Sequence, residues 1–118
     1  MEEIEQLAAR LREFARVRDW EQFHTPKNLA MALAGEVGEL LAELQWLTPE
    51  ESATVMTEEA AAERIRAELG DVVLYLVRLA DVLDVDLIQA AYRKLEKNER
   101  RYRSDEYRGV ATKAPPLP

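Results

Sequence analysis

Cysteine is absent from this 118-residue chain, and histidine occurs once, at His24. The first absence excludes a disulfide framework, a thiol nucleophile and a thiolate metal site. The second excludes HExxH and every metal arrangement built on two histidines, including the Glu-x-x-His pairs of ferritin-like di-iron bundles. Long apolar runs are also missing. No stretch reaches the roughly 18 residues a membrane helix needs, and the acidic start, Met1-Glu-Glu-Ile-Glu-Gln6, has no signal-peptide core. A cytoplasmic protein that enters no membrane is expected. Basic charge is in deficit, with 16 Lys plus Arg against 23 Asp plus Glu and a net charge of −7. Tracking a nucleic-acid polymer requires a basic footprint, so that partner is excluded. An acid surplus can hold cations, provided the acids cluster.

What is present reads as helix. The hydrophobic fraction of 47% is that of an ordinary globular domain, with length for one core. Ile4, Leu7, Ala8, Leu11, Phe14 and Ala15 recur at three- and four-residue steps and predict a first helix from Glu2 to about Arg18. Pro26 opens a second, carrying Leu29, Leu33, Val37, Leu40, Leu41, Leu44 and Leu47. Thr48-Pro49-Glu50-Glu51 starts a short one. Thr57 is expected to cap a third main helix reaching about Leu83, and Asp86 a fourth reaching about Arg103. The expected fold is all-α, a four-helix-bundle-like single domain over residues 1–108 with a Pro-rich tail at 109–118. Val72-Val-Leu-Tyr-Leu-Val77 is apolar on every side, so a second subunit is expected to cover part of it.

The acids do cluster. Glu36-Val-Gly-Glu39 and Glu68-Leu-Gly-Asp71 each project two carboxylates from one helix face, and Glu43 continues the first row. Three of the four glycines, Gly35, Gly38 and Gly70, sit mid-helix in these motifs. Each costs about 1 kcal/mol relative to Ala, which predicts a close approach of two backbones there. Carboxylates gathered in an apolar setting repel and raise one another's pKa values, a conflict that a hard divalent cation relieves. The metal expected is Mg²⁺, with Mn²⁺ as a substitute.

Glu36-x-x-Glu39, a gap of 28 residues and then Glu68-x-x-Asp71 resembles the signature of the all-α nucleoside triphosphate pyrophosphohydrolases, the MazG-like superfamily. More narrowly, Arg18-Asp-Trp-Glu-Gln-Phe-His-Thr-Pro-Lys-Asn-Leu29, Gly35 to Leu40, Gln45-Trp46, Glu68 to Val72, Tyr75 to Val77 and Lys94 to Tyr102 resemble its dCTP pyrophosphatase branch. The resemblance spans about residues 7 to 103. It implies metal-dependent hydrolysis of dCTP or a modified dCTP to monophosphate and pyrophosphate, in the service of nucleotide-pool sanitation. It puts Glu36, Glu39, Glu68 and Asp71 at the catalytic metal-ligand positions. Water would attack the α-phosphorus while the cation shields the triphosphate. It also implies homodimers or homotetramers. The same chemistry on dUTP or on a broad set of noncanonical triphosphates is the neighbouring reading, and a catalytically silent helical dimerisation module the more distant one.

Trp20, Phe23, Trp46 and Tyr75 are four of the eight aromatics and lie at motif edges. Such faces stack nucleobases at roughly 1–3 kcal/mol per base, or else pack in a core. His24 stands beside them, either as a structural hydrogen-bonding group or as a base or phosphate contact. Asn28 opens the second helix, where it can meet phosphate. The resemblance adds Lys94, Asn98, Arg101 and Tyr102 to the substrate contacts. It departs at Leu11, where vertebrate members carry His, in the arm expected to close over the nucleotide.

Overall fold

The computed structural model describes residues 2–118, and among them there is helix and no strand. Helix α1 (Glu2–Val17) has Glu2, Glu3 and Glu5 in its first turn, where acids complement the helix dipole. It stops in a Schellman turn. Asp19 takes φ 54°, its N–H donates to the Arg16 carbonyl (3.1 Å), and the Trp20 N–H donates to that of Ala15 (2.9 Å). A single 3-10 turn, Glu21–Phe23, carries the chain to α2 (Pro26–Leu44). There Thr25 accepts from the Asn28 N–H and Pro26 fills the first position.

Two boundaries differ from expectation. Helix α2 ends at Leu44, not Leu47, because the chain tightens into a turn before the capping box of α3 (Pro49–Ala53), in which Thr48 and Glu51 bond reciprocally. The cap of α4 (Glu59–Val82) is Glu58, whose side chain accepts from the Ala61 N–H. Thr57 belongs instead to a 3-10 turn, Val55–Thr57, where its hydroxyl donates to the Thr54 carbonyl at 2.7 Å.

The chain divides into two compact units, Met1–Asp84 and Val85–Pro118, where sequence alone predicts one domain over 1–108. In the first, α1 and α2 both pack on α4. Its core is lined by small residues, Ala8, Ala15, Ala61, Ala62 and Ala80, around Leu29, Ile65 and Val77. Glu36 and Glu39 gather near Glu68, whereas Glu43, later on α2, meets Arg64, earlier on α4. The two helices therefore run antiparallel. Leu69, Val73 and Leu76 keep an apolar face of α4 open.

The second unit holds α5 (Leu87–Arg101), capped by Asp86, and α6 (Ser104–Tyr107). Residues 109–118 do not trail away as a tail. Ala114 is buried, its N–H donates to the Tyr102 hydroxyl (3.2 Å), and the Arg101 guanidinium donates to the Ala114 and Pro115 carbonyls. A proline-rich segment cannot satisfy its carbonyls in a helix, and Arg101 supplies the donors. Among the described residues no helix is long and apolar enough to cross a membrane.

Candidate metal and nucleotide site

Glu36 and Glu39 stand one turn apart on α2, and Glu68 faces them from α4. One carboxylate oxygen of each lies within 4.8 Å of the other two. Asp71 stands outside that trio, one turn beyond Glu68, yet near enough for its charge to act on both Glu36 and Glu68. Loss of water, the Glu39 side chain and then the charges of Glu36 and Asp71 push the Glu68 carboxyl up to about 7. Glu36 is raised by loss of water first, then by Glu39 and Asp71.

Two atoms decide what the cluster is for. Glu36 Oε2 and Glu68 Oε2 are buried with no hydrogen-bond partner. An unsatisfied buried oxygen is costly and calls for an explanation beyond packing. The donors are all oxygen and all anionic, the set preferred by a hard divalent cation. The residues fit such an ion. Glu43 behaves differently: it pairs with Arg64 at 2.9 Å and leaves the acidic row. The close backbone approach expected at the glycines does not occur within the chain, since a Cβ at Gly35, Gly38 or Gly70 would meet nothing within 4 Å. Helices α2 and α4 meet through other positions.

Asp71 also borders a cavity of about 210 Å³, lined further by Leu11, Phe14, Trp20, His24, Leu74, Tyr75 and Arg78. The Schellman turn and the 3-10 turn deliver Trp20 and His24 to it. Trp20 meets Phe14 edge-on at 5.7 Å and His24 at 6.5 Å. This volume is below the roughly 300–1,000 Å³ that accommodates a whole drug-sized ligand. It suits one flat, partly apolar group beside a cation.

A profile of the MazG nucleotide pyrophosphohydrolase domain matches residues 24–104. This chain belongs to that family. It is 45% identical over all 118 residues to dCTP pyrophosphatase 1 of Bos taurus and 43% identical to that of Homo sapiens, covering 68% of each relative. A pyrophosphatase from Archaeoglobus fulgidus has a similar structure, with a TM-score of 0.79 and 41% identity over 86% of this chain and 93% of that one. The MazG family makes this chain a nucleoside triphosphate pyrophosphohydrolase, and its acidic cluster is in keeping with dependence on a divalent metal.

The remaining candidate residues of this MazG domain fall in both units. Trp20, His24 and Tyr75 line the cavity. Trp46 falls past the end of α2, in the turn before α3, and is 87% exposed. The Asn28 amide donates to the Phe23 carbonyl at 3.0 Å, steadying the connection that carries His24. Lys94 is exposed and Asn98 half-buried on α5 in the second unit. There Arg101 and Tyr102 bond the C-terminal segment. Sequence reasoning passed over Arg78 and Asp81. The available signal was a charge in the apolar stretch Val77-Arg78-Leu79-Ala80.

Proposed function

We propose that this chain hydrolyses a deoxynucleoside triphosphate, dCTP or a modified dCTP first, to the monophosphate and pyrophosphate, removing unwanted nucleotides from the cytoplasmic pool. The observation that carries this reading is the trio Glu36, Glu39 and Glu68 from two helices, with two orphaned oxygens, beside an aromatic cavity. With Asp71, these residues would hold Mg²⁺, or Mn²⁺ in its place. When bound, the cation offsets the carboxylate repulsion and the triphosphate charge and draws electrons from the phosphoryl oxygens. Glu68, raised to about 7, is about half protonated near neutral pH while the site is free and would give up that proton on loading. Trp20 and Tyr75 present faces for the base, and Asp71 joins that cavity to the acidic cluster. Trp46 is an exposed stacking candidate, while Asn28, Lys94, Asn98, Arg101 and Tyr102 enter through the family resemblance.

The open apolar face at Leu69, Val73 and Leu76, with open space beside Gly70, supports assembly into a homodimer or homotetramer. A second copy would complete the helical bundle that α1, α2 and α4 begin. Residues 1–108 would then serve as the catalytic domain. One observation favours a second reading of base preference. Leu11 lines the cavity, so an apolar group stands where the family resemblance expects His, and dUTP or a broader noncanonical set fits the same chemistry. A silent interaction module would have no use for orphaned acids. The test is an initial-rate panel of dCTP, 5-substituted dCTP, dTTP, dUTP and dATP with Mg²⁺. Pyrophosphate and monophosphate are expected, with dCTP or its modified form fastest. Orthophosphate and diphosphate would defeat the mechanism.

A further inference from the structure

Arg78 is the one buried charged residue among the described residues, at 8% exposure. It stands two turns past Asp71 on α4, at the other end of the same cavity. Its Nε–H donates to His24 Nδ1 at 3.0 Å, and its Nη1 to Asp81 Oδ2 at 3.4 Å. The same Asp81 oxygen accepts from Arg12 Nε at 2.7 Å. Arg12 comes from α1, His24 from the connection, and Arg78 and Asp81 from α4, so one carboxylate and one guanidinium tie three segments together.

The chemistry of this chain has one outcome. A guanidinium donates and never accepts, and it keeps its charge. His24 Nδ1 must therefore offer a lone pair, and the ring proton must sit on Nε2. A doubly protonated ring would set N–H against N–H. Loss of water and then the Arg78 charge lower the His24 pKa, in agreement with a ring held neutral. The edge contact with Trp20 restrains the same ring.

We infer that Arg78, held by Asp81 and Arg12, is a positioning residue that locks His24 in its Nε2–H tautomer, giving the nucleotide cavity a fixed hydrogen-bond donor. The group it suits is an acceptor atom of the bound nucleotide, a base carbonyl or ring nitrogen or a phosphate oxygen. This assignment rests on the proposed nucleotide site for its ligand, but the tautomer stands on the contacts alone.

His24 is the chain's single histidine, so selective ¹⁵N-histidine labelling yields one unambiguous ring. Two-bond ¹⁵N–¹H correlations near neutral pH should show Nδ1 bare and Nε2 protonated. A proton on Nδ1 in the unmodified protein overturns the inference, whatever the variants do. Arg78→Met, similar in length but without a donor, should give a mixture of tautomers and raise KM about tenfold, the scale of one hydrogen bond, with kcat changed far less. A folded Arg78→Met protein with an unaltered tautomer also overturns it. Titrating dCMP and inorganic pyrophosphate separately, each with Mg²⁺, separates the acceptors. A Nε2 response to dCMP alone assigns an acceptor of the nucleoside monophosphate, and a response to both assigns a phosphate oxygen. Calorimetric binding of either with no response at Nε2 rejects the donor role. Failure of the substrate panel, by contrast, would remove the proposed reaction and leave the tautomer measurement intact.

Discussion

Helix α4 carries two clusters of charge in succession, and they obey opposite rules. At Glu68 and Asp71, like charges meet like charges from α2, and two buried oxygens have no partner. At Arg78 and Asp81, signs alternate, and Arg12, Asp81, Arg78 and His24 are linked by hydrogen bonds. Both clusters border the same cavity. The first is poised to bind something and is costly without it. The second needs nothing added and spends its bonds on holding a ring in place. Unsatisfied polar atoms thus mark where a ligand belongs, and a satisfied network marks what keeps the surroundings still.

The contrast can be broken most severely at the acids. Glu39→Gln or Glu68→Gln should lower hydrolysis by more than the roughly 10–100-fold typical of losing an outer-shell partner of a metal site. Metal-free Glu68→Gln should nonetheless melt higher than the parent above pH 7, because a repelling charge is gone. Full activity in either variant rejects the ligand assignment.

Next in size is the pH response. The folded pKa of Glu68, about 7, exceeds its ordinary 4.5, so the folded state binds more protons than the unfolded state between those values. Stability of the metal-free protein should fall as pH rises from about 4.5 to about 7, and then level off. Glu36 adds in the same direction. His24, with a lowered pKa, opposes them by favouring the folded state as pH rises toward 6.5. Mg²⁺ should raise the melting temperature more at about pH 8 than at about pH 5, because it needs the carboxylates ionised. Equal gains at both values would argue against a carboxylate site.

At the satisfied end, Asp81→Asn should cost about 1.5–3 kcal/mol in denaturant unfolding, the range for a hydrogen bond to a charged group. Its KM should rise along with a mixed His24 tautomer. A loss of stability with no change in KM would reduce the network to a structural brace. The smallest effect on folding, within about 0.5 kcal/mol, is expected for Leu69→Lys on the open face of α4. Light scattering should nevertheless show it shifted toward monomer. An unchanged mass would put any subunit interface elsewhere.

Much of this was legible in sequence because it is local. Helical periodicity, the caps Thr48 and Asp86, and the two acid pairs depend on neighbours three or four residues away. Trp46 lies beyond the reach of that periodicity, because α2 stops at Leu44. The glycines misled for a related reason: local cost shows that something is unusual, not which surface explains it.

The deficit of basic charge and the lack of cysteine and paired histidine by themselves pointed to an oxygen-rich cation chemistry, which we propose Glu36, Glu39, Glu68 and Asp71 carry. Only the tertiary structure decided which acids act together. It drew Glu43 away to Arg64, left two oxygens without partners, brought Arg12 and Arg78 to the Asp81 carboxylate, and set His24 against Arg78. Helix periodicity places side chains on a face. The antiparallel packing of α2 on α4, and the turn that returns His24 to α4, set which faces meet.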